Sequence, residues 1–422
     1  MISLAVSRDL GEAEAVASEI AGKQGHRIRG PTRKIELETK FGSLCLIARE
    51  GELIHGDNVL ISCRHITPED PEFPENLCRV EDVDSIRRTL SGLQGFFSGA
   101  WISRDRLVLF RDHVGHMPLA YRQTEEGIFA ASERWALGGA AGQLQPGSLL
   151  LFDGRRSEIV RWYEPRIKRV ADPERLLADV LRKVMDLYLP SECSLAFSGG
   201  LDSSIIAYLA LSSGKKVDAL VIGYEGCLDH SWASEAASLL GIRVKEIIVD
   251  DEMVRNAIQV LEKYLPRKSP MDLAIASIFY IASKNSSKKF LVAGQGSDEL
   301  FGGYRKYADA FERWGIGRAA ELMRKDVEQL HLMNLERDEL ASSLGGSDLI
   351  APYLVKELYE LALSIDPELK LRKTGEGIAR KWILRKAAER LGLPRELVER
   401  PKKAAQYSSG LMKRIRFILS ST

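Results

Sequence analysis

Ser198-Gly199-Gly200-Leu201-Asp202-Ser203-Ser204 gathers hydroxyls, glycines and one carboxylate into a single short string, a mix suited to a phosphorylated ligand. Gly199 and Gly200 let the backbone take φ > 0 and bring its N–H groups close to an anion, while the hydroxyls of Ser198, Ser203 and Ser204 add donors. The string has no Gly-Lys-Ser/Thr ending and no GxGxxG spacing, which separates it from a Walker loop and from a dinucleotide fingerprint. Its bland alternative is a glycine turn with an aspartate capping the next helix. A second acidic turn, Gly294-Gln295-Gly296-Ser297-Asp298-Glu299, carries the other carboxylates of interest, and its bland alternative is a first-turn acid on the helix that follows.

Both turns need elements that bring them together. Residues 193 to 197 are a short apolar run, and from Ser203 the apolar residues Ile205, Ile206 and Leu209 read as a helix, so the glycines fall at a strand-to-helix junction. Helix N-termini favour anions at such junctions. Strands over 217–224, 244–250 and 289–293 alternate with helices over 229–240, 252–265 and 272–284, which predicts a doubly wound, mostly parallel sheet. Ligands of such sheets sit at the carboxyl ends of the strands, where the first strand delivers Ser198 to Asp202 and the last delivers Gly294, Gln295, Gly296 and Asp298. Magnesium on a triphosphate takes one or two protein carboxylates, and Asp202 with Asp298 is the expected pair. Ahead of the sheet, Asp172-Pro173 starts a helix whose apolar spacing marks it as packing.

The whole chain has 422 residues, enough for two or three domains, with 45% hydrophobic and 28% charged residues. A formal net charge of +1 speaks against a dedicated nucleic-acid surface or a polybasic membrane patch and for a small-molecule partner. Five scattered cysteines without a CxxC pair fit a cytoplasmic chain with inert thiols and no zinc site. The first residues lack a basic n-region, and no window is apolar enough for a span, so neither a signal peptide nor a membrane helix is expected. Residues 1 to about 165 hold short strand-like runs between Gly, Asp and Asn turns, with one helix over 11–21, and predict an α+β sheet domain.

These strings carry a family resemblance. Ser198 to Ser204 resembles the SGGLDSS loop of the ATP pyrophosphatases, and Gly294 to Tyr304 resembles the GxGxDELFGGY segment of the asparagine synthetases. Leu335 to Ala341 is similar to that family's NLxRxD segment, Ile350 to Val355 to a worn RVPFLD, Lys381 to Arg385 to KxxLR, and Leu393 to Lys403 to LPxEIxxRxK. Gly95 to Trp101, Arg111 to Tyr121, Ala131 to Leu137 and the Pro146-Gly147 turn resemble the class II glutaminase half of the same enzymes. The resemblance implies an Ntn-hydrolase-like glutaminase domain over 1–165 and an ATP pyrophosphatase synthetase domain over 170–422. It implies ATP and Mg2+ bound by Ser198, Gly199, Gly200, Leu201, Asp202, Ser203, Ser204, Gly294, Gln295 and Gly296, with Asp202 and Asp298 on the metal. The lysine of RxK carries over to Lys402, which would face the departing pyrophosphate alongside Asp202 and Asp298. Lys381 and Arg385, at i and i+4, read as a helix face and are not assigned to catalysis.

Three departures matter. Position 2 is Ile2, where the active glutaminases carry the nucleophilic cysteine, so glutamine hydrolysis has no nucleophile there. Gln295 stands where the family commonly has Glu, which removes a general base. In the worn segment, apolar residues replace the family's Arg and final Asp. The expectation is therefore an ATP-dependent amide ligase that adenylates a carboxylate, aspartate first, and takes ammonia from solution or from a separate glutaminase. A homodimer is compatible with it. Competing readings are a cyclase like the β-lactam synthetases, using an internal amine, and a non-catalytic regulator that kept the fold.

Overall fold

A computed structural model describes residues 1–49, 80, 82–102, 105–375, 377–401 and 405–420, together with the backbone of strands 53–56 and 59–66. The chain divides into two compact units, Met1–Glu164 and Pro165–Thr422. Among the described residues no helix is long and apolar enough to cross a membrane.

The first unit is built from two antiparallel sheets. One has the order β10-β8-β9-β1-β3-β2, from β1 (Ile2–Ser7), β2 (Thr32–Thr39), β3 (Gly42–Arg49), β8 (Ala120–Gln123), β9 (Ile128–Ala131) and β10 (Gly142–Gln143). The other has the order β12-β11-β7-β6-β5-β4, from β4 (Leu53–Gly56), β5 (Val59–Ile66), β6 (Gly95–Ile102), β7 (Leu107–Arg111), β11 (Ser148–Phe152) and β12 (Ser157–Arg161). Side chains alternate between faces along a strand, so Ile2, Leu4 and Val6 join Leu46, Leu109 and Leu150 in the core between the sheets. Ala5, on the other face of β1, packs under Ala13, Ala17 and Ile20 of helix α1 (Leu10–Lys23). Helix α2 (Val83–Gly92) covers the second sheet in the same way, with Ile86 and Leu90 on Phe97, Phe110 and Leu149. The result is a four-layer helix-sheet-sheet-helix sandwich, the Ntn-hydrolase-like arrangement. α1 runs slightly beyond the expected 11–21 because Asp9 caps it, accepting from the Glu12 N–H at 2.9 Å. β2 gave little apolar signal because it is an edge strand with charged, exposed faces.

The second unit holds a five-stranded sheet in the order β15-β14-β13-β16-β17, every neighbouring pair parallel. The strands are β13 (Glu192–Ala196), β14 (Lys216–Gly223), β15 (Val244–Ile248), β16 (Phe290–Val292) and β17 (Asp348–Ile350). α3 (Pro173–Tyr188) precedes them, and between them run α4 (Leu201–Ser212), α5 (Leu228–Leu240), α6 (Asp251–Tyr264), α7 (Pro270–Lys284), α8 (Ser297–Phe301) and α9 (Glu336–Gly345). α10 (Trp382–Leu391) and α11 (Leu411–Ser420) follow. Asp172 caps α3 as expected, accepting from Arg175 N–H at 3.2 Å. Val254 and Leu261 of α6, Leu273 and Phe279 of α7 and Leu411 and Ile415 of α11 bury one side of the sheet at Leu220, Ile247, Leu291 and Leu349. The order reverses between β13 and β16, so the loops after these two strands flank the crevice where a doubly wound sheet takes its ligand.

Candidate active site

β13 runs through Ala196 into the Ser198-Gly199-Gly200 turn, and α4 begins at Leu201, two residues earlier than its apolar spacing suggested. Gly199 sits at φ 66, and a Cβ there would collide with the carbonyl of Trp232. Arg400, 7% exposed, locks this shape: its guanidinium donates to the carbonyls of Gly199 at 2.9 Å and Trp232 at 2.8 Å and lies over the Trp232 ring. With the Gly199 carbonyl turned to Arg400, Ser198, Gly200, Leu201, Asp202 and Ser203 line a cavity at the N-terminus of α4. Gly199 and Ser204 stand behind it, the Ser204 hydroxyl buried and unpartnered.

β16 delivers the second turn to the same cavity. Gly294, Gln295 and Asp298 line it, whereas Gly296, the left-handed N-cap of α8, packs on Leu354 behind it. Asp202 and Asp298 converge on one cation, the Lys381 ammonium, which lies 2.6 Å from both carboxylate oxygens of Asp202 and 2.6 Å from Asp298 Oδ1. Ser297 Oγ ties the pair further, donating to Asp202 Oδ1 at 2.8 Å. Gly303 permits this approach, because a Cβ there would strike both Asp298 Oδ1 and Lys381 Cε. The worn segment supports it from below: β17 ends at Ile350, and Tyr353 donates its hydroxyl to the Asp202 carbonyl at 3.1 Å.

Lys381 corrects the helix-face reading. It is 1% exposed, is the N-cap of α10 and has φ 55, the one non-glycine residue of positive φ among the described residues. Arg385 is likewise no surface residue: it lines the cavity and donates to the carbonyls of Arg380 at 3.2 Å and Arg400 at 3.1 Å, stitching the start of α10 to the 398–400 segment. Lys402 lies outside the described residues.

The two carboxylates fit a divalent cation. They already meet around one positive charge, and among the described residues no group of three or more His, Cys, Asp or Glu side chains offers a fuller ligand set. A metal here would draw on two protein carboxylates and complete its shell with phosphate oxygens and water.

The cavity is also lined by Asn334 and Arg337, together with Gln295. A π-helical turn, His331–Leu335, carries Asn334, and α9 carries Arg337. Arg337 donates from Nε to Asp338 at 2.7 Å and from Nη1 to Asp272 at 3.2 Å, and Arg267 meets the same Asp272 at 3.0 Å. Ser269 fixes Asp272 by capping α7 and donating to Asp272 Oδ2 at 2.6 Å. Gln295 donates to Asp338, whose carboxyl is pushed up by burial against the pull of Arg337. Glu299, fully buried and beside the Asp298 charge, is raised to about 7 while accepting from Tyr304 and Asn334. Apolar side chains of Phe197, Val221, Ile222, Ile275, Ile278 and Phe279 line the remaining wall, a surface suited to an adenine ring.

The described thiols, Cys45, Cys193 and Cys227, do not line this cavity. Burial pushes Cys193 up to about 12 and Cys45 to about 11 and raises Cys227. In the first unit, Ile2 is held in β1: its N–H donates to Ser132 Oγ at 2.9 Å and its carbonyl accepts from Gln24 at 3.0 Å. The Arg111-Asp112 string is a structural clamp, with Arg111 on the carbonyls of Met117, Gly115 and Leu144 and Asp112 accepting from Val114, His116 and Met117.

Comparisons with known proteins bear on both units. The profile of the family described as asparagine synthase matches residues 176–321 and 313–416, and that of a glutamine amidotransferase domain matches residues 66–138. The chain is 30% identical over 386 residues to a putative glutamine-hydrolyzing asparagine synthetase of Methanocaldococcus jannaschii, covering 76% of this chain and 70% of that protein. It is 31% identical over 353 residues to the glutamine-hydrolyzing asparagine synthetase of Asparagus officinalis, covering 76% of this chain and 58% of that one. A second plant relative, from Arabidopsis thaliana, is 29% identical over 351 residues, with 76% of this chain and 59% of the relative covered.

Proposed function

Because the chain belongs to the asparagine synthase family, we propose that it is an ATP-dependent amide ligase, adenylating a carboxylate with loss of pyrophosphate and passing the acyl group to ammonia. The observation that carries this reading is the meeting of Asp202, Asp298 and Lys381 beneath the loop after β13.

The apolar wall takes the adenine, and the N–H groups at the start of α4, with Ser198 and Ser203, take the phosphates. Mg2+ held by Asp202 and Asp298 would neutralise charge on the β and γ phosphates. A carboxylate oxygen of the substrate attacks the α phosphorus, the bond to the bridging oxygen breaks, and pyrophosphate leaves with the electron pair. Lys381, fixed before the reaction, stabilises the growing negative charge without moving a proton, and Lys402 is assigned the same task by resemblance. The nitrogen lone pair then forms the C–N bond, AMP departs with the C–O electrons, and the surplus proton on nitrogen passes to solvent.

Aspartate is the first candidate substrate. Arg337, which lines the cavity and is braced by Asp272, offers a guanidinium that would receive the substrate's second carboxylate, with Arg267 holding Asp272 from its other side. Ammonia comes from solution or from a separate glutaminase, since Ile2 supplies no nucleophile. The reading places the chain in the cytoplasm with its ATP supply. Purified protein with ATP, Mg2+ and a panel of carboxylates led by aspartate is expected to release pyrophosphate with ammonium chloride and none with glutamine. Release of ADP and phosphate, or no pyrophosphate with any carboxylate, contradicts it.

A further inference from the structure

We propose that Lys381 is an exchangeable placeholder for the metal: its ammonium holds the cation position between Asp202 and Asp298 until a triphosphate draws it off, so that divalent ion and nucleotide enter the cavity together. The position is built like a cation site. Four oxygens face the ammonium, Asp202 Oδ1 and Oδ2 and Asp298 Oδ1 at 2.6 Å and Ser297 Oγ at 3.2 Å. A divalent ion on the same carboxylates would meet this ammonium at close range, and the repulsion makes the two cations exclude one another.

The chain around the ammonium suits such an exchange. Lys381 holds φ 55, a sparsely populated conformation for a residue with a Cβ, and such outliers gather at ligand clamps and switches. Its flanks are anchored: Arg380 donates to the Gly303 carbonyl at 2.7 Å, and Arg385 donates to the Arg380 carbonyl at 3.2 Å. Between these anchors the flexible four-carbon stem is the part that turns, and it passes Gly303, where a Cβ would strike Lys381 Cε. Lys381 lines the same cavity as Ser198, Gly200 and Ser203, so torsions of the stem carry the ammonium from the carboxylates towards the phosphate loop.

Charge sets the order of events. A divalent ion arriving alone would strand a lysine that is 1% exposed without its two carboxylates, which opposes entry. A triphosphate brings anionic oxygens for the ammonium and for the metal, and the binding of each then favours the other.

This rests on the nucleotide part of the ligase reading, and its tests need no turnover. In calorimetry without nucleotide, Lys381→Met is expected to bind Mn2+ at least about tenfold more tightly than the wild type, the effect of removing one opposing charge. The double variant Lys381→Met with Asp298→Asn is expected to lose that gain. Equal affinity in wild type and Lys381→Met overturns the proposal, as does a gain that survives the loss of Asp298. Wild-type crystals decide it independently, should the variant not fold. Soaked in Mn2+ alone, they are expected to show no anomalous density between Asp202 and Asp298; with α,β-methylene-ATP added, they are expected to show it there, with the Lys381 ammonium on phosphate oxygens. Mn2+ between the carboxylates without nucleotide, or an ammonium that keeps both carboxylates once nucleotide is bound, overturns it. If α,β-methylene-ATP with Mg2+ does not bind in solution, the ligase reading has failed, and the nucleotide-free comparison still decides whether Lys381 and the metal exclude one another.

Discussion

Lys381 places one ammonium between two carboxylates inside the protein, and a buried charge pair broken from one side is costly, about 3–5 kcal/mol. Lys381→Met is expected to lose pyrophosphate formation by at least about a hundredfold, one fixed cation in a water-poor site, and to lower the denaturation midpoint as well. Wild-type turnover in that variant would remove Lys381 from the chemistry. A second buried lysine behaves differently. Lys370, 5% exposed at the end of a short helix, is lowered to about 8 because burial disfavours its charged form. Its folded value lies below its unfolded one, so the stability it contributes is complete above the unfolded lysine value of 10.5 and is lost as pH falls through about 8. Thermal midpoints of the wild type are expected to rise across that window, with Lys370→Met flattening the rise and stabilising the chain at neutral pH by on the order of 3 kcal/mol. Lys381 was hidden in the sequence for a physical reason: Asp202 lies 179 residues away, and Lys-Trp-Ile-Leu-Arg has helical spacing that says nothing of a left-handed first residue.

At the scale of elements, the site depends on how α7, α8, α9 and α10 begin. α7 starts at Ser269, whose hydroxyl both caps the helix and holds Asp272 toward Arg337. Ser269→Ala is expected to cost about 1 kcal/mol in a denaturation series and to raise the KM for the carboxylate substrate, because Asp272 loses a fixed partner. An unaltered KM would limit Ser269 to capping. The loop after β13 and the acidic turn before α8 were legible because each is a local string at a strand-to-helix junction, where paired glycines and short polar side chains open the backbone to a ligand. Gln295 with Asp338 was not legible as a pair. The two lie 43 residues apart on different elements, Gln295 in the turn before α8 and Asp338 on α9, so no local spacing links them. Similarly, β2 and β17 were missed, the first because charged residues dominate an edge strand and the second because three residues are too few for a periodic signal.

For the whole molecule, a formal net charge of +1 provides no general attraction for an anion, so recognition of ATP falls to the cations gathered in one cleft, Lys381, Arg385, Arg400 and Arg337. The first unit keeps the layered fold and the clamp at Arg111-Asp112 but carries Ile2 in the core between its sheets. Ile2→Cys is expected to cost on the order of 2 kcal/mol in stability, a smaller side chain in a packed core, and to confer no glutamine-dependent activity. Glutamate release from glutamine by that variant would show that the rest of a glutaminase site is intact. The proposed reaction turns on transfer of a carboxylate oxygen to the α phosphorus of ATP. With the carboxylate that supports pyrophosphate release, aspartate first, labelled in its carboxyl oxygens with 18O, the ligase reaction is predicted to place one 18O in each AMP formed. Label appearing in phosphate or pyrophosphate instead, or AMP free of label, would contradict it.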